Sequence, residues 1–345
     1  MSIRIITDST VDADITYTKN FSIVPMTVTF GEEEYSDGVN LSKQEFYGKL
    51  ETSDVLPKTS QASPDAFARV FKTLGKDEEA IVITVTSRLS GTYQSARLAA
   101  EDFPNVRVVD SRNVSIGSGV LAEYAQKCVD KGMGLDELFE HLIQKRDEIC
   151  LVARLDTLEY LKKGGRISGV TAFAGGVLNI KPVVTMKDGE LVMLGKARGS
   201  KKANNFLVEQ IEQNGVDYDD PILLGYTGTS DAMLQEYISD SRALWDGKVD
   251  HLDCEQLCSV IGTHAGPGAV AIAFSEKTLQ RFDYITDCGT IKGILRKCRC
   301  SLKYLLVSTS LHHCFVKKDF YHDQSLRTLY DGYFQYHQIL EPARK

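Results

Sequence analysis

Three short segments of the sequence concentrate hydroxyl groups where a ligand could meet them. They are Asp8-Ser9-Thr10, residues 58–63 and residues 87–92, and each follows an apolar run or precedes a helical pattern. In a sheet flanked by helices, ligands bind in the loops beyond the carboxyl ends of the strands, where free backbone N–H groups favour an anion or a strong acceptor. Helix capping alone also explains Ser and Thr at such positions. The clustering of three segments favours a ligand site.

Ser90 is a candidate nucleophile, but its neighbours argue against that role. A nucleophile elbow reads Gly-x-Ser-x-Gly, whereas Arg88 stands in place of the first glycine and Gly91 directly follows the serine. Gly91 instead allows a ligand to approach the backbone closely. The sequence also lacks a phosphate loop and a dinucleotide-binding glycine pattern. A serine hydrolase using Ser90 and His264, and a protein that binds a small phospho-ligand at residues 90–92, remain alternative hypotheses.

His264 lies in the glycine-rich stretch 261–268, which we interpret as a loop before the last strand of this part of the chain. His141 and His251 have ordinary helix and strand neighbours and are interpreted as structural. A histidine between glycines can donate to a carboxylate and, when protonated, neutralise it. No metal-ligand spacing surrounds His264, so we expect no metal there.

Two arginines follow glycine or hairpin signals. Arg166 comes after Gly164-Gly165, a pair that most simply ends a helix in a left-handed turn. Arg198 lies in Lys196-Ala197-Arg198-Gly199, beside the end of a predicted hairpin. Solvated charge is the usual explanation for a pair such as Lys196 and Arg198, whereas the glycine turn leaves Arg166 unexplained.

The elements that must position these residues begin with an α/β domain at 1–155. Short β-branched runs near Ile3 to Ile6, Ile81 to Val85, Val106 to Val109 and Cys150 to Val152 alternate with helical periodicity, which predicts a parallel sheet covered by helices. Ser42 with Glu45, and Ser63 before Pro64, predict two helix starts.

A smaller mixed α/β domain is predicted at 156–277. Asp188-Gly189 between two apolar segments predicts a hairpin, followed by a helix at 201–214. Further strands are predicted at 221–226, 248–252 and 269–274, with a helix at 231–241 between the first two.

Composition narrows the classes of protein. The 345 residues carry 40 Lys and Arg against 47 Asp and Glu, a net charge of −7, which argues against a nucleic-acid partner. No secretory signal or membrane span is recognised, so a cytoplasmic location is expected. Cys128 and Cys150 are isolated in apolar patterns, so no disulfide framework is expected.

The charge is unevenly distributed along the chain. Residues 1–277 have a net charge of −12, whereas residues 278–345 carry 11 basic and 6 acidic side chains, a net charge of +5. We interpret 278–345 as an atypical, unassigned extension. Three interpretations stay open: a zinc site, disfavoured because no Cys-x-x-Cys pair occurs; a basic docking segment; and an altered reading frame. The zinc interpretation would use Cys288, Cys298, Cys300, Cys314, His312 and His313.

Taken together, the motifs of residues 1–277 resemble the DegV family. Eight motifs in family order carry the resemblance: Asp8-Ser9-Thr10, 59–63, 89–96, Asp110-Ser111, 158–168 with its Gly-Gly-Arg-Ile-Ser, Asn179 to Pro182, 196–199 and 261–268. The resemblance implies a bacterial two-domain protein that binds one long-chain fatty acid in a buried tunnel. It also implies that such a protein presents the carboxylate to a separate ATP-using kinase subunit, which forms an acyl phosphate.

Carried onto this sequence, the resemblance implies that the carboxylate is bound by Thr59, Ser60, Ser90, Gly91, Thr92 and His264. It makes Arg166 and Arg198 candidates for contact with the phosphoryl donor or the kinase subunit. No catalytic residue, metal or cofactor is expected in the chain itself, which is therefore expected to be a lipid-binding subunit and not an enzyme.

Overall fold

Strands and helices alternate along the chain in the computed structural model, which describes residues 2–13, 20–173 and 179–277. The strands are β1 (Ser2–Asp8), β2 (Phe21–Val24), β3 (Thr27–Phe30), β4 (Glu33–Ser36), β5 (Lys58–Ser60), β6 (Glu78–Thr84), β7 (Val106–Asp110), β8 (Ile149–Arg154), β9 (Ile180–Lys187), β10 (Glu190–Arg198), β11 (Ile222–Tyr226), β12 (Asp253–Gln256) and β13 (Val270–Ser275). The helices are α1 (Lys43–Thr52), α2 (Pro64–Phe71), α3 (Thr92–Ala100), α4 (Ser115–Asp130), α5 (Leu135–Lys145), α6 (Glu159–Lys163), α7 (Ser200–Asn214), α8 (Ala232–Asp240), α9 (Arg242–Trp245) and α10 (Ser259–Ala265), with a 3₁₀ helix at Ser168–Phe173.

The predicted parallel sheet is confirmed for three of its four strands. Its order is β2-β1-β6-β7, with every pair parallel. Alternation places Ile5 and Ile81 against α4 and α5, while Ile6 and Val82 face α2 and α3. Both faces are therefore buried, which explains the continuous apolar runs in the sequence.

The assignment of residues 150–152 to this sheet is wrong. That run forms β8, which pairs antiparallel with β13 and β9 in a second sheet of order β10-β9-β8-β13-β11-β12. An apolar run looks the same in either sheet because both of its faces are buried in each. The chain therefore passes from one sheet to the other between β7 and β8. The division at residue 155 stays a prediction.

The local signals of the second sheet are otherwise confirmed. β9 and β10 form the predicted hairpin, with a turn at Asp188 and Gly189, both at positive φ. The helix predicted at 201–214 is α7. The strand predicted at 248–252 is wrong by five residues, because β12 begins at Asp253 and pairs parallel with β11.

Two predicted helix caps form as expected. The Ser42 hydroxyl accepts from the Glu45 backbone N–H at 3.2 Å, and the Glu45 carboxylate accepts from the Ser42 N–H at 3.0 Å. The Ser63 hydroxyl accepts from the Ala66 N–H at 3.2 Å, with Pro64 in the first turn of α2. These caps fix the helices on either side of β5.

A small antiparallel sheet of order β4-β3-β5 is an element that the sequence patterns did not indicate. It matters because β5 carries Thr59 and Ser60. A separate contact joins the β9–β10 hairpin to the parallel sheet. The Thr86 hydroxyl, two residues after β6, donates to the Gly189 carbonyl in the hairpin turn at 2.8 Å. All described residues belong to one compact unit.

Two sequence-based expectations, on membrane spans and on residues 278–345, concern regions that the structure does not describe in full. No helix among the described residues is long and apolar enough to cross a membrane. The predictions for residues 278–345, including the zinc site, lie outside the described residues.

Candidate functional site

A cavity of about 400 Å³ lies where the carboxyl ends of the parallel strands meet one face of the mixed sheet. Its walls are mostly apolar and come from β8, the hairpin, α10 and the residues just before and within β13. Apolar side chains of the wall include those of Val85, Leu151, Ala153, Leu155, Val184, Leu191, Ile261, Ala269 and Ala271. A volume of this size with apolar walls is typical of a small-molecule site.

Residues of the more polar part of the cavity come from β5 and the residue after it, the segment before α3, the segment after α6, and α10. They are Thr59, Ser60, Gln61, Ser90, Gly91, Arg166 and His264, together with Thr10 and Ser115 near the parallel strands. The structure therefore brings most of the predicted carboxylate-binding residues to one cavity. Gln61 was not singled out as a site residue, although it lies inside the motif 59–63.

His264 is held by Thr59, and it is part of a helix. The predicted loop is wrong at this position, because residues 259–265 form α10 and His264 lies in its last turn. Thr59 Oγ1 lies 2.9 Å from His264 Nε2, which joins β5 to α10 across 205 residues of sequence. The helix ends at Gly266, whose φ of +72° accounts for a glycine directly after this turn.

The His264 ring is partly buried, and its pKa makes it neutral at physiological pH. Burial lowers its pKa from 6.5 to about 4, and the charge of Arg166 acts in the same direction. Nδ1 has no hydrogen-bond partner among the described residues, while Nε2 lies against Thr59. The site therefore offers a polar but uncharged imidazole.

Gly164 and Gly165 have different roles, which corrects the interpretation of the pair as a simple helix end. Gly165 is left-handed, with φ of +72°, as expected. Gly164 has a negative φ, but a Cβ there would overlap His264 Nδ1. Gly164 is thus required for the close approach of the histidine ring.

Arg166 connects two of the loops around the cavity. Its Nε donates to the Leu89 carbonyl at 3.2 Å, and its Nη1 donates to the Gly164 carbonyl at 2.7 Å. The guanidinium lines the cavity while fixing the segment that precedes Ser90. It therefore places one positive charge beside the hydroxyls.

Ser90 and Gly91 line the cavity, whereas Thr92 lies behind them. The Ser90 and Thr92 hydroxyl oxygens are 2.9 Å apart, and the fully buried Thr92 hydroxyl also donates weakly to Met26 Sδ at 3.7 Å. A Cβ at Gly91 would overlap the side chain of Gln61. Thr92 thus supports Ser90, and the glycine allows Gln61 to pack against the loop.

The described hydrogen bonds do not join Ser90 to His264. Ser90 Oγ pairs with Thr92, and His264 Nε2 pairs with Thr59. A serine nucleophile needs a base within hydrogen-bond reach. The geometry therefore disfavours the serine hydrolase alternative.

Part of the first hydroxyl segment is structural. The buried Asp8 carboxylate accepts from the Thr10 N–H and hydroxyl, at 2.9 and 2.5 Å, and from the Val85 N–H at 2.8 Å. Burial raises the pKa of Asp8 despite these bonds. Thr10 lines the cavity, but its hydroxyl donates to Asp8, so it offers little to a ligand.

Arg198 lies outside this cavity. It ends β10, is exposed, and is followed by left-handed Gly199.

No cluster of three or more His, Cys, Asp or Glu side chains suited to a metal ion occurs within the described ranges.

Comparison with known proteins identifies the fold and its relatives. The family model that matches, over residues 2–277, is that of the DegV family of uncharacterised proteins. A DegV domain-containing protein of Caldanaerobacter subterraneus subsp. tengcongensis is 35% identical over 283 residues, which cover 80% of this chain and 99% of the relative.

Solved structures of similar fold carry names that mention fatty acids. A fatty-acid-binding DegV family protein from Thermus thermophilus is 32% identical with a TM-score of 0.71, covering 80% of this chain and 100% of that chain. The Streptococcus pneumoniae Fatty Acid Kinase (Fak) B3 protein, loaded with linoleic acid, is 25% identical with a TM-score of 0.71, at 80% and 100% coverage. The predicted family and fold are confirmed, and the chain belongs to the DegV family.

Proposed function

We propose that this chain binds one long-chain fatty acid in the cavity, with the carboxylate at Thr59, Ser60, Ser90, Gly91 and His264. The observation that carries the proposal is an apolar cavity of about 400 Å³ that also holds a hydroxyl and imidazole group. Thr92 contributes by holding the Ser90 hydroxyl. The fatty acids bound by the relatives from Thermus thermophilus and Streptococcus pneumoniae support the same ligand class.

Affinity comes mainly from the walls of the cavity. Burying about fifteen methylenes at ~0.8 kcal/mol each gives a gross gain of roughly 12 kcal/mol. The loss of translational and rotational freedom and the ordering of the chain offset a large part of this gain. The carboxylate therefore needs only hydrogen-bond donors for its oxygens, because an unpaired buried carboxylate would cancel the remaining free energy of binding.

A neutral His264 suits this task through its tautomer. When Nε2 carries the proton, it donates to Thr59 Oγ1, 2.9 Å away, and the Thr59 hydroxyl hydrogen is free for an acceptor in the cavity. The Ser90 hydroxyl and the Arg166 charge lie at the same cavity. These hydroxyl groups and the Arg166 charge can thus bind a carboxylate without any residue that attacks it.

The chain then acts as a lipid-binding subunit, and a separate ATP-using kinase subunit phosphorylates the carboxylate. The name of the Streptococcus pneumoniae relative supports this partner. Exposed Arg198, outside the cavity, is positioned to contact that subunit or its phosphoryl donor. Arg166 is the corresponding cation beside the ligand.

Titration of delipidated protein with oleate tests the ligand proposal. Oleate should bind one per chain, and the alcohol of the same length should bind about tenfold more weakly because it lacks charge-assisted hydrogen bonds. Stabilisation by phosphate esters but not oleate would instead favour the phospho-ligand hypothesis. Covalent labelling of Ser90 by a fluorophosphonate would favour the hydrolase.

The kinase partnership has its own test. Arg198→Ala should keep its bound lipid and lose phosphorylation in the presence of the kinase subunit. Lys202→Ala removes a nearby exposed positive charge on α7 and serves as the matched control. Loss of lipid from the Arg198 variant would contradict the assignment and place this residue in the fold or the pocket.

A further inference from the structure

Helix α10 carries His264 at one end, and its other end is held by two buried carboxylates that do not line the cavity. The Asp12 Oδ1 atom accepts from the Cys258 N–H at 2.9 Å, and the Asp37 Oδ1 atom accepts from the Ser259 N–H at 3.2 Å. Asp12 and Asp37 are 3% and 2% exposed. Both come from the first 40 residues, far in sequence from the helix that they cap.

These bonds answer a general need of helix starts. The first N–H groups of a helix have no partner within it, and a seven-residue helix has little stability of its own. Here Cys258 Sγ caps the Ile261 N–H at 3.5 Å, and the two carboxylates satisfy the Cys258 and Ser259 N–H groups, which this cap does not reach. Removing either carboxylate leaves a buried N–H without its acceptor.

Further contacts fix the same end of α10 against the N-terminal half. The Tyr47 hydroxyl donates to the Leu257 carbonyl at 2.9 Å, and a Cβ at Gly262 would overlap Phe46 and Tyr47. Asp12 is itself held by Ser115, whose hydroxyl donates to Oδ2 at 2.8 Å. The start of the helix is therefore tied to the half of the chain that contains Thr59.

The other end of α10 is tied to the second half. Gly164 packs against the His264 ring, and the Thr227 hydroxyl donates to the Gly266 carbonyl at 2.6 Å. His264 lies six residues after Cys258, roughly 9 Å along the helix axis. The carboxylates can therefore act on the imidazole only through the position of the helix.

We propose that Asp12 and Asp37 are positioning residues, which hold the start of α10 so that His264 meets Thr59 at the ligand carboxylate. The inference rests on the proposed function for its effect on binding. The position of the histidine ring is independent of that function and can be measured without lipid.

The test compares Asp12→Ala and Asp37→Ala with two controls. Asp37→Asn keeps an acceptor oxygen for the Ser259 N–H, and it leaves the ion pair between Asp12 and Lys43 Nζ, 3.2 Å apart, in place. Ser241→Ala removes a buried hydrogen bond of 2.9 Å from Trp245 Nε1, in the helix layer on the other side of the mixed sheet. This control shows how much a loss of stability away from the site changes the ring pKa and the oleate affinity.

NMR titration of the His264 ring in delipidated protein gives the first measurement, and oleate affinity gives the second. In the two alanine variants the ring pKa should rise from about 4 toward 6.5 as the ring gains water, and oleate should bind about tenfold more weakly. Asp37→Asn and Ser241→Ala should keep wild-type values of both.

Three results would overturn the inference. The first is a folded alanine variant with an unchanged ring pKa and affinity. The second is an equal change in Ser241→Ala, and the third is a failure of Asp37→Asn to keep the wild-type values. If Asp12→Ala does not fold, Asp37→Ala decides, since it keeps every Asp12 contact. If wild-type protein does not bind oleate, the proposed function fails, while the ring pKa still tests the positioning.

Discussion

At the residue scale, the site depends on a histidine kept neutral by burial and placed by a glycine. His264 contacts Thr59 through Nε2, and its Nδ1 edge packs where Gly164 leaves room. Gly165 is adjacent but has nothing within 4 Å of where its Cβ would lie. The two glycines therefore allow a matched comparison.

Gly164→Ala should weaken oleate binding about tenfold, because the new methyl group displaces the His264 ring from Thr59. Gly165→Ala should cost about 1 kcal/mol of folding stability through left-handed backbone strain and leave oleate affinity unchanged. Binding titrations and urea unfolding of both variants provide the measurements. Equal affinity losses in the two variants would show that the close approach at Gly164 is not the cause.

The lowered pKa of the partly buried imidazole also predicts how the stability of the protein depends on pH. Between pH 6.5 and about 4 the unfolded chain binds a proton at His264 that the folded protein does not, so His264 lowers stability as pH falls through this window. Asp12 acts in the opposite sense, since burial raises its pKa from 3.8 to about 6.

Comparison of delipidated wild type with His264→Gln separates the two groups. The wild type should lose on the order of 2–3 kcal/mol more than the variant between pH 6.5 and 4. Urea unfolding at intervals across this range measures the difference. Parallel pH profiles would mean that the ring is accessible to protons in the folded state.

At the element scale, the cavity exists because two paired strands carry small residues on one face. Ala153 of β8 lies opposite Ala271 of β13, and both line the cavity. Their neighbours Val152 and Ile272 face the other side, where they pack beneath α7 and α8. The alanine pair leaves the space that the acyl chain would fill.

Ala153→Leu should therefore shift the bound fatty acids toward shorter chains by about three carbons, because the added side-chain atoms occupy the space of methylenes. Ala153→Gly, which removes volume, should cause no shift toward shorter chains. Mass spectrometry of lipids taken up from a mixture of chain lengths measures the preference. An unchanged profile in the leucine variant would place the acyl chain away from this strand pair.

The elements that could be predicted were those with local chemical signals. The capping box at Ser42, the Asp188-Gly189 hairpin and α7 all form where the sequence indicates them. The sheet to which β8 belongs could not be predicted, because pairing depends on distant strands. The helix around His264 was also missed, since its start is stabilised by Asp12 and Asp37, more than 200 residues away in sequence.

The site follows the same rule. Its hydroxyl segments were visible as motifs, and most of their residues line the cavity. The contact of Gly164 with His264 and the support of Ser90 by Thr92 depend on tertiary packing. They could not be deduced from spacing alone.

At the scale of the whole molecule, the family match and the described fold begin and end at the same residues, 2 and 277. The family match covers residues 2–277, and the relative from Caldanaerobacter aligns over 99% of its own length. The backbone N–H groups of Glu276 and Lys277 still bond to the body, at Glu148 and Gly215. The acidic part of the chain, with its net charge of −12, therefore contains the complete proposed site.

A chain ending at Lys277 should fold and bind oleate with wild-type affinity, because every residue of the proposed site, with its described contacts, lies within it. Circular dichroism melting and oleate titration of the shortened and full chains provide the comparison. An insoluble or lipid-free shortened protein would show that residues 278–345 contribute to folding or to lipid binding.

The central claim is that the cavity holds a fatty acid, and the most direct measurement is the lipid released from the purified full-length chain. Organic extraction of the denatured protein, followed by mass spectrometry, should yield one long-chain fatty acid per chain. Protein that is reproducibly empty, and that also fails to take up added fatty acid, would contradict the account.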